Sequence, residues 1–197
     1  ALNELFSSLL QKRHQVALNA GFANFRDYRF QELGRFDYTK EDCYQFHEAV
    51  KLHVMPLANQ LYAAKKQKLG LTDLRPWDIE AEPAGTQPLR PFQTGEELTE
   101  KTIQCFNTMQ SFFRDCLAKM REMGRLDLES RKGKAPGGYN CPLAETGAPF
   151  IFMNAAGTLD DVTTMVHEGG HAIHSFLSHE LELSGFKEYP TEIAEVA

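Results

Sequence analysis

Residues 165–174 read Met-Val-His-Glu-Gly-Gly-His-Ala-Ile-His, which sets two imidazoles and a carboxylate at a spacing that suits one kind of chemistry. His167 and His171 stand four residues apart, about one helical turn. On a helix both rings leave the same face and can share one tetrahedral ion. Glu168 lies beside them, too near the axis to ligate well but able to reach a metal-activated water and take its proton. The ion implied by this H-E-x-x-H pattern is zinc, one per chain. A chance histidine pair on a solvated helix is the plain alternative. Against it, Met165, Val166, Ile173 and Phe176 flank the motif, and two histidines beside a carboxylate are costly to bury without a partner. Gly169 and Gly170 each cost a helix interior about 1 kcal/mol relative to alanine, which implies a close approach to the backbone there.

A third ligand must come from further along. The H-E-x-x-H-x-x-G-x-x-H continuation is absent, because residue 174 is histidine and residue 177 leucine. At about 1.5 Å per residue, Glu180 would lie roughly 20 Å along the axis from His167 if the helix continued. Glu182 and Glu188 fall in the connecting loop, and Glu192 and Glu195 on a following helix that can fold back. Spacing does not separate the last two, although a mid-helix position favours Glu195. His174 lies about 20° around the helix from His167, at about 100° per residue, and so shares its side. One turn past His171, it suits a contact to the ligands' surroundings or to substrate better than a fourth ligand.

The elements that must hold these groups are mostly helical. Leu2, Leu5, Phe6 and Leu9 mark a first helix ending near Gly21, and a second covers Phe25 to Leu33. Thr39 with Asp42 opens a helix that would run to Gly70, with a kink at Pro56. Pro76, Pro83, Pro88 and Pro91 make the next stretch a loop, with Trp77 as a packing anchor in it. Thr94 and Glu97 fit a capping box, followed by Leu98, Cys105, Phe106, Met109, Phe113, Cys116 and Met120 on one face of a single helix that Gly124 ends. Residues 126–153 are rich in Gly and Pro and read as loops with short strands. In them Gly133-Lys134 lacks the phosphate-loop order, and Lys132 and Lys134 are expected to be solvated. The best strand is Phe150, Ile151, Phe152 and Met153, running into Asn154. As an edge strand beside the metal it could pair with an extended peptide; as a core strand it could not. Thr158 with Asp161 starts the H-E-x-x-H helix, which reaches about Ser178, and Pro190 suits the first turn of a last one.

Composition narrows the partners. Hydrophobic residues are 42% and charged residues 24%, the ordinary globular mixture, so a buried core is affordable. A net charge of −6 with interspersed signs argues against nucleic acid, and no apolar run of about 20 residues is available to span a bilayer. Four scattered cysteines with no C-x-x-C pair point to a reducing, cytoplasmic setting, with Cys105 and Cys116 expected as buried thiols.

The string HEGGHAIHSF at 167–176 followed by YPTEIAEVA at 189–197 resembles the oligoendopeptidase F family, relatives of thimet oligopeptidase. The likeness extends to Gly34-Arg35-Phe36-Asp37, to Arg75-Pro76-Trp77-Asp78 and to Lys132-Gly133-Lys134-Ala135-Pro136-Gly137. It implies a mainly α, zincin-like helical metallopeptidase domain with a small β-sheet next to the active-site helix. It makes Glu195 the third ligand beside His167 and His171, the gluzincin arrangement. It implies a zinc-dependent endopeptidase acting on short oligopeptides, with Glu168 as general base. Residues 1–91 would form a helical lobe and residues 92–197 the active-site portion. In the family the peptidase domain continues past the third ligand and supplies Tyr and His residues to the substrate. This chain alone is therefore expected to be part of a catalytic domain and inactive. Two rivals stand beside this reading. A helical domain with a structural or vestigial metal site would have no use for Glu168. Another zinc amidohydrolase, deformylase-like, would need Gly-rich and Cys elements that the chain lacks.

Overall fold

The computed structural model describes residues 1–196 and divides the chain into two compact units, Ala1–Thr86 and Gln87 onward. In the first unit, α1 (Leu2–Asn19) and α2 (Phe25–Glu32) form a pair, and α2 starts on Asn24, whose side chain accepts from the Asp27 backbone N–H. Thr39 and Asp42 cap α3 (Lys40–Ala49) reciprocally, as the sequence implies. The single long helix expected from Thr39 to Gly70 is interrupted. Residues Val50–Val54 widen into a π-helical turn before α4 (Met55–Lys68). Pro56 has no N–H to give and its ring crowds the preceding turn, so the chain loosens its pitch just upstream of the proline. The proline-rich stretch that follows contains a short 3₁₀ turn, Pro76–Asp78. Trp77 in that turn is 76% exposed, so the packing anchor expected there is absent.

The second unit holds a core. α5 (Gly95–Met109) begins on Thr94, whose hydroxyl accepts from the Glu97 N–H. The Glu97 carboxylate accepts from Gln93 instead of Thr94, which shifts the expected capping box by one residue. The single helix predicted from there to Gly124 is two. Gln110 is extended (φ −159°, ψ 137°), and α6 (Ser111–Glu122) starts afresh after it. The break resets the helical phase, so the predicted stripe does not stay on one face. Leu98, Ile103 and Phe106 of α5 and Cys116, Leu117 and Met120 of α6 turn inward, whereas Cys105 and Met109 are exposed. Only Cys116 is therefore the buried thiol that the stripe promised, its pKa pushed up to about 11 by burial. All four cysteines are free.

Three strands complete the unit: β1 (Leu126–Glu129), β2 (Tyr139–Cys141) and β3 (Phe150–Ala155). Their order is β1-β3-β2, with β1 parallel and β2 antiparallel to β3. Ile151, Met153 and Ala155 of β3 alternate inward to meet the core. Against the sheet lies α7 (Leu159–His179), opened by the Thr158–Asp161 capping box that the sequence predicts. It buries Met165, Ala172 and Ile173 among the α5 and α6 side chains. A 3₁₀ turn, Ser184–Phe186, leads to α8 (Thr191–Ala194), where Pro190 stands just before the first turn instead of within it. Among the described residues no helix is long and apolar enough to cross a membrane.

Candidate metal centre

The capping box fixes the start of α7, and the apolar residues on its inner face fix its rotation. Together they set where His167 and His171 point. Their Nε2 atoms come within 3.0 Å of each other, with the rings edge to face at 4.4 Å between centroids. Glu195, the residue that closes α8, turns its carboxylate to the same place. Its Oε2 lies 3.4 Å from His167 Nε2 and its Oε1 4.0 Å from His171 Nε2. These three side chains offer donor atoms within 4.8 Å of one another, a grouping that could hold a metal ion. Neither Glu192 nor His174 belongs to the grouping. Glu195 is not mid-helix as expected; it sits at the C-cap of a four-residue helix. Ala197, the last residue of the AEVA string, lies outside the described residues.

Glu168 faces away from bulk solvent, 7% exposed. Burial pushes its carboxyl above the ordinary range, the imidazoles of His171 and His167 work against that rise, and Glu195 adds to it. The next residue explains one half of the glycine pair. A methyl group on Gly169 would stand 2.7 Å from Phe106 Cζ, so the α5 phenyl ring packs directly on the α7 backbone. His174 stacks on Tyr189, rings 3.9 Å apart and nearly parallel. Beside His167 and His174 an apolar groove of about 540 Å³ runs along α7, walled by Phe106, Phe113, Val166 and Leu177.

Of the two roles left open for Phe150 to Asn154, edge strand or core strand, the structure shows the core strand. β3, with Phe150 to Asn154, is the central strand of the three, and Phe150 to Phe152, paired with β2 on one side and flanked by β1 on the other, have no free edge to offer a peptide. β2 is an edge strand of the sheet and packs against α7. Its Asn140 side chain lies 3.5 Å from the Glu168 carbonyl oxygen, and a methyl group at the preceding Gly138 would stand 3.7 Å from Glu168 Oε1. β2 is hard to see in the sequence, because a three-residue strand after a Gly-Gly pair has no periodicity to detect. The Gly137-Gly138 pair was the available signal. Lys134, by contrast, is a correction. Its side chain is 1% exposed, not solvated, and its ammonium is held by β1.

Comparison with known proteins supplies the wider context. The sequence matches peptidase family M3 over residues 1–197. It is 30% identical over 150 residues, 76% of this chain and 24% of the relative, to an oligoendopeptidase F homolog of Lactococcus lactis subsp. lactis (strain IL1403). It is 27% identical over its whole length, 34% of the relative, to the plasmid oligoendopeptidase F of Lactococcus lactis subsp. cremoris. Among solved structures, PZ peptidase A with an inhibitor superposes with a TM-score of 0.88 at 28% identity, over 98% of this chain and 34% of that one. The chain thus spans about a third or less of the length of these relatives. Since the match takes in the helices of the first unit as well as the His-Glu-His grouping of the second, the chain belongs to peptidase family M3.

Proposed function

We propose that this chain carries the metal-binding and proton-transferring part of a zinc-dependent endopeptidase that hydrolyses short oligopeptides. The observation that carries the proposal is the convergence of two imidazoles and a carboxylate beside a second, buried carboxylate. The donor set fits zinc. Two zinc–nitrogen bonds of about 2.0–2.1 Å at a tetrahedral angle place their nitrogens about 3.3 Å apart. The observed separations of 3.0 and 3.4 Å bracket that figure, and the 4.0 Å separation needs only a small turn of the Glu195 carboxylate. Three protein ligands leave one coordination position open, the pattern of catalytic and not of structural zinc.

When bound, zinc lowers the pKa of a water toward about 7 and polarises the scissile carbonyl. His167, His171 and Glu195 would hold and orient the ion. The Glu168 carboxylate, one residue from a ligand and shielded from bulk water, accepts the proton of the attacking water and returns it to the departing amine. The edge of β2 is the place for an extended peptide to pair through its backbone, because it runs past Glu168 and has no partner strand on its outer side among the described residues. The groove along α7 offers room for an apolar side chain of that peptide. Four free thiols suit a reducing, cytoplasmic setting.

Chelation tests the proposal. In the intact protein 1,10-phenanthroline is expected to abolish cleavage of a fluorogenic peptide, and added zinc to restore it. Cleavage that survives removal of the metal would end this reading. A structural metal site would instead show loss of fold when the ion is removed, and no peptide cleavage even with the ion bound.

A further inference from the structure

Lys134 is buried away from the metal donors, and the proposed mechanism makes no use of it. Its ammonium donates three hydrogen bonds, to Asp127 O at 2.9 Å, Asp127 Oδ1 at 3.0 Å and Glu129 O at 2.9 Å, which uses every proton it has. It also sits 4.4 Å from the centre of the Phe152 ring. Arg131 grips the same Asp127 carboxylate with both terminal nitrogens, at 2.6 and 2.9 Å. From β3, Asn154 Nδ2 donates to Ala135 O at 2.8 Å and Gly137 O at 2.9 Å. Residues 130–138 have no regular structure of their own, yet Arg131 and Lys134 tie them to β1, and the Ser130 N–H, Ala135 O and Gly137 O tie them to β3. The segment delivers Gly138 against Thr164 and Glu168, and Tyr139 onto the Phe152 ring, stacked at 5.0 Å. Burying an ammonium is costly unless it is fully bonded, and a lysine held this way fixes whatever carries it.

We propose that Lys134 is a positioning residue for substrate capture: by pinning the 130–138 segment to β1 it holds the start of β2 beside Glu168, at the spacing an incoming peptide strand needs. The proposal rests on the reading of β2 as the substrate edge. Lys134 touches neither the metal donors nor Glu168, so its loss leaves the chemistry of a bound peptide intact. What falls is the fraction of molecules whose edge is ready, and apparent affinity falls by the same factor.

The test uses the intact, zinc-loaded protein. Lys134→Met keeps the volume of the side chain and removes its donors. Lys134→Arg keeps the charge, but a planar fork does not place three bonds where a compact ammonium does. Both are expected to raise KM, Lys134→Met by about tenfold or more, with kcat within about threefold and zinc content unchanged. A peptide N-methylated at one pairing position separates the two readings. The wild type should discriminate against it strongly, and Lys134→Met should discriminate less. If the wild type cleaves both peptides alike, the β2 reading fails and takes the proposal with it. If the wild type discriminates but Lys134→Met leaves KM unchanged, or lowers kcat alone, the proposal is overturned while the β2 reading stands. Should Lys134→Met not fold, Lys134→Arg, which keeps the charge and disturbs the three-bond geometry, decides by the same split. A raised KM supports the clamp and an unchanged KM overturns it.

Discussion

In the first unit Ala17 is the one fully buried residue among those described, while Leu5, Phe46, Leu52, Leu61 and other large apolar side chains of α1 to α4 stand exposed. In the second, three helices and three strands bury Leu98, Leu117, Met120, Ile151, Met153 and Met165 almost completely. Both units contain well-formed helices, and both open a helix with a reciprocal Thr–Asp capping box. The two kinds of interaction therefore do different things. Caps, turns and propensity suffice to define where a helix begins and ends. Aiming a side chain to within a fraction of an ångström requires neighbours on several sides, and His167, Glu168 and His171 have them because α7 is wedged between the sheet and two helices.

The largest expected effect tests whether the chemistry resides wholly in the packed unit. Glu168→Gln preserves the size and burial of the side chain but removes its ability to accept a proton. In the intact protein it is expected to lower kcat by about 10²–10⁴-fold while the zinc content stays at the wild-type level. Leu61→Ala, on the first unit's exposed face, is expected to leave kcat unchanged. Activity near wild type in Glu168→Gln would remove that carboxylate from the mechanism.

A second pair of substitutions measures the contrast in burial itself. Met120 is wholly buried at the meeting of α6 with the core, so Met120→Ala leaves a cavity and is expected to cost about 2–5 kcal/mol in urea unfolding. Leu61 is 63% exposed, and Leu61→Ala is expected to change stability by no more than about 0.5 kcal/mol. Comparable losses at the two positions would mean that the apolar face of α4 is covered in solution.

The same division explains what could be read from the sequence. The H-E-x-x-H spacing, the Thr39 and Thr158 helix starts and the mainly helical balance are local, so the residues themselves announce them. Gln110 is different: neither glycine nor proline marks it, and a stripe from Leu98 to Met120 that fits one straight helix hides the break. Lys134 looked solvated because a lysine in a Gly- and Pro-rich loop usually is. Its burial depends on carbonyls of β1 and a ring of β3, which no pattern within the loop reveals. Phe150 to Asn154 could be recognised as a strand, but not as the central one, because strand order is decided by partners elsewhere in the chain. Spacing alone does not separate Glu192 from Glu195 for the same reason; the AEVA resemblance favours Glu195, and the fold-back of α8 brings that carboxylate beside His167 and His171.

The smallest expected effects come from the two capping boxes, where one local motif is set in two surroundings. In α3 the Thr39 N–H donates to Asp42 Oδ2 at 2.8 Å and the Asp42 N–H to Thr39 Oγ at 3.2 Å. In α7 the corresponding bonds between Thr158 and Asp161 are 2.8 and 3.3 Å, and the Ala156 N–H donates to the same Asp161 oxygen at 2.9 Å. Alanine in place of a threonine cap typically costs about 1 kcal/mol. For Thr158→Ala that loss should lower the unfolding transition of the second unit, because the first turn of α7 leads directly into buried Met165. For Thr39→Ala the loss should remain local, since α3 buries no residue. Amide exchange at Glu41 to Cys43 should quicken while the main transition holds its midpoint. If Thr39→Ala instead lowered that transition as far as Thr158→Ala, the two units would unfold as one. Their unequal burial would then be a difference in packing without a difference in cooperativity.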